Sequence, residues 1–216
     1  MPLRNRVTPF GELIETEARG TLMGNRGCLV NSSRQIIRRY QARRWIACAL
    51  EFRGRRLPLM EPGHNTQLFF LDEATALAAG HRPCMECRRH DFIRFRAHWA
   101  AANADRTDGV QPSTAAIDAV LHAERITRDG NRVLYPEQIS NLPAGSFIIL
   151  APGASAAYLV MQDRLLMWTP HGYVQPMPRP AAGVVHVLTP RSIVRTLGHE
   201  YPARIHPSGY WERGLT

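Results

Sequence analysis

The sequence of 216 residues contains no lysine, so all 27 of its basic residues are arginine, and against 18 acids they leave a net charge of +9. An alanine-rich, GC-biased composition accounts for arginine standing where lysine would serve. It does not account for the excess of positive over negative charge, which points to a polyanionic partner. Also missing is any apolar run long enough to cross a bilayer, which excludes a membrane partner of the helical kind. The opening Met1-Pro2-Leu3-Arg4-Asn5-Arg6 lacks the apolar core of a signal peptide, and the expectation is a cytoplasmic protein. There is no internal repeat, no low-complexity tract, no phosphate loop and no dinucleotide-binding glycine pattern. Gly24-Asn25-Arg26-Gly27 is too short for one and reads as a turn. Cysteine is scarce, at Cys28, Cys48, Cys84 and Cys87. In a reducing compartment such a small set, two of them spaced C-x-x-C, points to metal or redox chemistry before disulfides.

What is present is the composition of a folded protein, 44% hydrophobic and 21% charged, in a chain long enough to bury a real core. The pattern predicts an α+β fold in two parts. Residues 1–107 form a zinc-containing, arginine-rich part with a short sheet and helices. Residues 114–216, with short apolar runs broken by Pro and Gly, form a part built on a small antiparallel sheet, its role open. The polar stretch from Asn103 to Ser113 reads as a linker or surface loop.

Within the first part, Ser33 is expected to cap a helix over 34–40, Trp45 to Phe52 to form a buried strand, and Gly54-Arg55-Arg56 to turn after it. Leu68-Phe69-Phe70 reads as a short strand. Asp72 then caps a helix over 73–79 that Gly80 ends, and another helix starts near Cys87 and runs to Ala101. In the second part, Ser113 or Thr114 caps a helix over 115–126. Strands are expected over 147–150, 157–161, 164–168 and 184–188, the middle two joined by a hairpin at Gln162-Asp163. Thr189-Pro190 supplies a cap and an N1 proline for a last helix stopping at Gly198.

The sharpest chemical signal is His81-Arg82-Pro83-Cys84-Met85-Glu86-Cys87-Arg88-Arg89. Two thiolates three residues apart on a tight turn entering a helix hold two corners of a tetrahedral zinc. The helix N-terminus and the neighbouring arginines favour the thiolate over the thiol. The bland alternative is a pair of reduced cysteines that merely pack. The run from Phe69 to Arg88, with its alanine-rich A-x-A-A-G helix followed by R-P-C-x-x-C-R, resembles the second half of the Ada-type metal-binding domain of DNA methylphosphotriester repair proteins. The resemblance covers residues 69–88 alone. It implies that Cys84 and Cys87 are two of four zinc ligands and suggests a role in damage recognition or repair. That family carries a further C-x-x-x-C upstream, one cysteine of which accepts the methyl group. Ungapped alignment puts those positions near Arg53 and Leu57, so the resemblance does not extend to methyl transfer.

Spacing leaves the remaining ligands open. Closure by Cys48, on the strand before the knuckle, and Cys28, after the Gly24–Gly27 turn, is the simplest arrangement, with His64 and His81 as substitutes. Around the knuckle, eight arginines between Arg34 and Arg56 face one acid, Glu51. Arg38, Arg39, Arg43, Arg44, Arg55, Arg56, Arg82, Arg88 and Arg89 are the candidate contacts to nucleic acid, DNA before RNA. Phe92, Phe95 and Trp99 follow the helical core period and are expected to pack inside.

The function read from these features is a zinc-containing nucleic-acid-binding protein. The alternative is a zinc-dependent hydrolase, a nuclease or a nucleobase deaminase-like enzyme. For the alternative, His122-Ala123-Glu124 supplies the candidates, since zinc deaminases combine H-x-E with P-C-x-x-C. Here the two pieces stand in reversed chain order, and at helical spacing from Asp118 and Arg125, His122 reads equally as part of a surface ion network.

Overall fold

The computed structural model describes residues 1–54, 58–106 and 111–210. It is an α+β structure with two six-stranded sheets. The first sheet is built from β1 (Arg4–Val7), β2 (Leu13–Glu15), β3 (Leu22–Asn25), β4 (Ile46–Cys48), β5 (Leu68–Phe70) and β6 (Arg82–Pro83), in the order β2-β1-β5-β3-β4-β6. It is mixed: β1 runs parallel to β5 and β4 parallel to β6, while the other pairs are antiparallel. The second sheet contains β7 (Tyr135–Gln138), β8 (Phe147–Ile149), β9 (Tyr158–Val160), β10 (Arg164–Thr169), β11 (Gly172–Pro178) and β12 (Val184–Val187). All its pairings are antiparallel, in the order β11-β10-β9-β8-β12-β7.

Among the described residues four α-helices accompany the sheets: α1 (Glu73–Ala78), α2 (Arg89–Ala102), α3 (Thr114–Arg125) and α4 (Arg191–Gly198). All six residues of α1 are buried, and its faces serve three different cores. Ala74 and Ala78 pack on Phe147, Leu159 and Leu166 of the second sheet, and Ala76 packs with Val7, Leu68 and Phe70 of the first. Leu77 joins Phe95, Trp99, Ile117, Leu121, Ile193 and Leu197 from the other helices. Alanine at these positions lets the layers approach closely. A helix this short does not hold itself in water, so the packing and the caps hold it. Asp72 Oδ1 accepts from the Thr75 N–H at 2.8 Å and the Thr75 hydroxyl at 2.7 Å. Gly80 ends the turn with φ +81°, where a side chain would also meet Arg125.

Carboxylates at the start of α1 tie the C-terminal segment to it. Asp72 Oδ2 accepts from the Tyr173 hydroxyl at 2.6 Å and the His206 N–H at 2.9 Å. Glu73 accepts from Arg88 at 2.6 Å, the Tyr201 hydroxyl at 2.9 Å and the Arg204 N–H at 3.0 Å. These buried acids are fully partnered, as burial demands.

Several expectations change on this structure. The segment 34–40 forms no helix. Asn31 Oδ1 instead accepts from the N–H groups of Ser33 and Gln35 at 3.0 and 2.9 Å, and Arg34 takes φ +59°. The strand expected over 45–52 is ordered as strand only across Ile46–Cys48. At α4, Thr189 does not cap: its hydroxyl accepts from the Phe147 N–H at 2.8 Å. Pro190 holds the N-cap position, and Glu124 receives the Ser192 N–H at 2.9 Å. Asn103, read as the start of a linker, is fully buried and donates to the Ser192 carbonyl at 3.2 Å. Arg55, Arg56 and Leu57 lie outside the described residues, as do residues 107–110 of the polar stretch.

Candidate metal centre

Strand register brings the thiols together. β6 pairs parallel with β4, matching Ile46 to Arg82 and Ala47 to Pro83. The Cys84 N–H donates to the Ala47 carbonyl at 2.9 Å, so Cys84 falls beside Cys48 at the ends of neighbouring strands. The chain then turns, with the Arg88 N–H donating to the Cys84 carbonyl at 3.1 Å, and this returns Cys87 to the same spot. Cys87 Sγ accepts from the Ala49 N–H at 3.4 Å. The three sulfur atoms lie within 4.8 Å of one another.

The thiols differ in acidity. Cys84 is pulled down to about 5, chiefly because the Cys48 thiol hydrogen-bonds to it, helped by the Cys87 and Glu86 N–H groups and opposed by burial. Cys87 is also lowered, first by Cys48 and then by the Ala49 N–H, against burial. Cys48 is pushed up by its hydrogen bonds to Cys84 and Cys87 and by burial. The cluster therefore keeps a proton on Cys48 in the absence of a cation, and a metal would take that proton's place. The donor set fits zinc: sulfurs bound at 2.3 Å to a tetrahedral ion stand about 3.8 Å apart, a separation available to sulfurs this close.

The three cysteines lie on the wall of a cleft of about 880 Å³, whose lining includes Arg44, Glu51, Phe52, Arg53, Asn65 and Gln67. Cys84 and Cys48 are each only 7% exposed, so an ion held there would be shielded on the protein side.

The other candidate ligands stand elsewhere. Cys28 is not among the three: its thiol donates to the Val30 carbonyl at 3.6 Å. The reason is antiparallel register. β3 pairs Met23 with Cys48 and Asn25 with Ile46, so each further residue along the chain leads away from Cys48. His64 is exposed, with Nδ1 3.2 Å from the Pro62 carbonyl. His81 is fully buried between Trp45 and Phe70, ring centroids at 5.0 and 4.7 Å. Burial, then the charges of Arg26, Arg125 and Arg132, hold its pKa well below the usual value.

His122 lies edge-on to Tyr40 at 5.2 Å and Glu124 accepts from the Ser192 hydroxyl at 2.6 Å; neither joins the thiols. Of the arginines singled out from the sequence, Arg38, Arg39, Arg43, Arg44 and Arg89 are exposed. Arg82 and Arg88 are engaged inside the fold. Arg82 makes a two-bond pair with Asp118 at 2.9 and 2.7 Å, and Arg88 pairs with Glu73 at 2.6 Å and Asp91 at 2.8 Å. Phe92, Phe95 and Trp99 are buried, as their spacing predicts. Arg53, which lines the cleft, stood in the sequence as one of a long basic run and near a missing cysteine of the Ada-type pattern, and was not among the candidate contacts.

Fold and site together define an α+β protein with a three-thiol centre at a cleft. The chain matches no family model, and comparison with curated proteins and with solved structures gives no significant relative.

Proposed function

We propose that this is a zinc-containing nucleic-acid-binding protein, acting on DNA before RNA. In this reading zinc held by Cys48, Cys84 and Cys87 fixes the wall of a cleft that takes the polyanion. The observation that carries the reading is the convergence of three sulfurs on a cleft lined by Arg44 and Arg53. Zinc would pin β4 to the turn entering α2, and the arginines would meet phosphate oxygens in the planar, two-bond manner of guanidinium groups. The Ada-type resemblance over 69–88 agrees with a zinc role for Cys84 and Cys87 and suggests damage recognition as the setting. The absence of cysteine near Arg53 and Leu57, where the family carries its upstream pair, argues against methyl transfer.

The test is binding of duplex and single-stranded DNA across a salt series by the zinc-loaded protein and by Arg44→Ala and Arg53→Ala. The reading expects affinity that falls steeply with salt, and a slope reduced by about 1 for each arginine removed. Unchanged slopes in both variants would contradict it.

One observation favours a second reading, a zinc-dependent hydrolase acting on nucleic acid. Among the described residues no fourth His, Cys, Asp or Glu joins the three sulfurs, and an ion held by three protein ligands would keep one tetrahedral position for a water. Turnover of a nucleic acid or nucleobase that disappears on chelation and in Cys84→Ser would favour this reading over pure binding.

A further inference from the structure

A second cavity, of about 580 Å³, shares no lining residue with the thiol cleft. Five arginines line it, Arg4, Arg26, Arg38, Arg39 and Arg132, against a single acid, Glu12. Two of these reach deep into the fold. Arg26 is 2% exposed, its Cζ 4.4 Å from the centre of the Trp45 ring. Its terminal nitrogens donate to the carbonyls of Gly11 at 2.9 Å and Arg39 at 3.4 Å, and its Nε finds no partner. Arg132 donates to the carbonyls of Ala78 and Leu188. Behind them Arg125, fully buried, stacks on the same indole at 4.0 Å.

Among the described residues no carboxylate pairs with Arg26, Arg38, Arg39, Arg125 or Arg132. Buried arginines elsewhere in this protein behave differently, Arg82 meeting Asp118 and Arg88 meeting Glu73. Carbonyl dipoles offset only part of the cost of burying a cation. Burial and the nearby Arg132 charge pull Arg26 down to about 9, and burial pulls Arg132 to about 10. A site assembled in this way is short of negative charge.

We propose that this cavity binds a phosphate-bearing ligand of nucleotide size. The exposed Arg38 and Arg39 at its edge would fork onto phosphate oxygens. Arg26 and Arg132 would hold the anion by their field from below. Phe10, Leu13, Ile36 and Ile37 offer an apolar wall for a base, and the volume lies in the range of small-ligand sites. The shared chemistry is a nucleotide phosphate, free or at the end of a strand. The inference does not rest on the metal centre.

The experiment is titration calorimetry and thermal unfolding of the full chain with four probes. These are a nucleoside, its 5′-monophosphate, and one short oligonucleotide with and without a 5′-phosphate. The variant is Arg38→Glu, since Arg38 is exposed and makes no hydrogen bond or ion pair among the described residues, so folding is expected to survive. The monophosphate should bind and raise the Tm where the nucleoside does not, and Arg38→Glu should weaken it by about tenfold or more. Binding of the mononucleotide alone assigns a free nucleotide; preference for the 5′-phosphorylated oligonucleotide assigns a strand end. Equal behaviour of nucleoside and monophosphate, or binding indifferent to Arg38→Glu, would overturn the proposal.

Discussion

At the scale of single residues, the neighbourhood of His81 shows how burial decides chemistry. The sequence offers His81 as a ligand, three residues before Cys84. The structure turns it inward between two aromatic rings, with no partner for either ring nitrogen among the described residues. Its pKa is held well below 6.5, so the folded protein keeps it neutral while the unfolded chain takes up a proton. Stability from this residue is therefore complete above about pH 6.5 and lost as pH falls toward the folded pKa, at up to about 1.4 kcal/mol per pH unit. Denaturant unfolding between pH 7 and 5 should show this slope in the wild type and a shallower one in His81→Phe, which keeps the aromatic packing. Equal slopes would show that His81 is protonated in the fold.

Cys84 and Cys87 are legible in the sequence because their relation is local, a turn of four residues. Cys48 joins them only through the pairing of β4 with β6, a strand of two residues that no periodicity announces. Cys28 looked equivalent to Cys48 from the sequence; the direction of β3 separates them.

Among the elements, α1 is the clearest success of local signals. Asp72 before it, Gly80 after it and an alanine run between were enough to read its limits. What they could not show is that Asp72 also receives the Tyr173 hydroxyl and the His206 N–H from far along the chain. Asp72→Ala should therefore cost more than a lost cap, roughly 2–4 kcal/mol in chemical denaturation, because buried donors lose their acceptor as well. A loss near 1 kcal/mol would mean the cap alone matters.

Strands β1, β2, β3, β6, β7 and β11 escaped notice, β3 extending through Gly24 and Asn25 where a turn was expected; for β7 and β11 the reason is proline. β7 and β11 carry prolines at Pro136, Pro176 and Pro178, which argue against a strand. Both are edge strands, where a missing N–H is tolerated. Across the β10–β11 pair the register shifts between Leu165 and Met167, and Gln175 takes φ +48°, so simple alternation fails there. The helix expected over 34–40 fails for the opposite reason, since Asn31 offers the backbone a competing turn.

At the scale of the whole molecule, the net charge of +9 overstates the basic surface. Arg26, Arg82, Arg88 and Arg125 are at most 5% exposed. Arg82 and Arg88 are paired directly with acids, whereas among the described residues Arg26 and Arg125 form no ion pair. The arginines thus divide into an inner set that organises the cores and an outer set, including Arg38, Arg39, Arg43, Arg44, Arg53 and Arg89, free to meet an anion. Of that outer set, Arg44 and Arg53 line the thiol cleft and Arg38 and Arg39 the second cavity. The α+β architecture and the antiparallel second sheet were readable from the sequence. The contribution of α1 to three different cores was not, because it depends on which layers meet across its two alanine faces and Leu77.

The metal centre is tested by zinc content with X-ray absorption on the purified protein, Cys84→Ser and Cys28→Ser. One zinc per chain with three sulfur neighbours at about 2.3 Å and one lighter ligand is expected, lost in Cys84→Ser and kept in Cys28→Ser. A four-sulfur shell that depends on Cys28, or no metal at all, would contradict it.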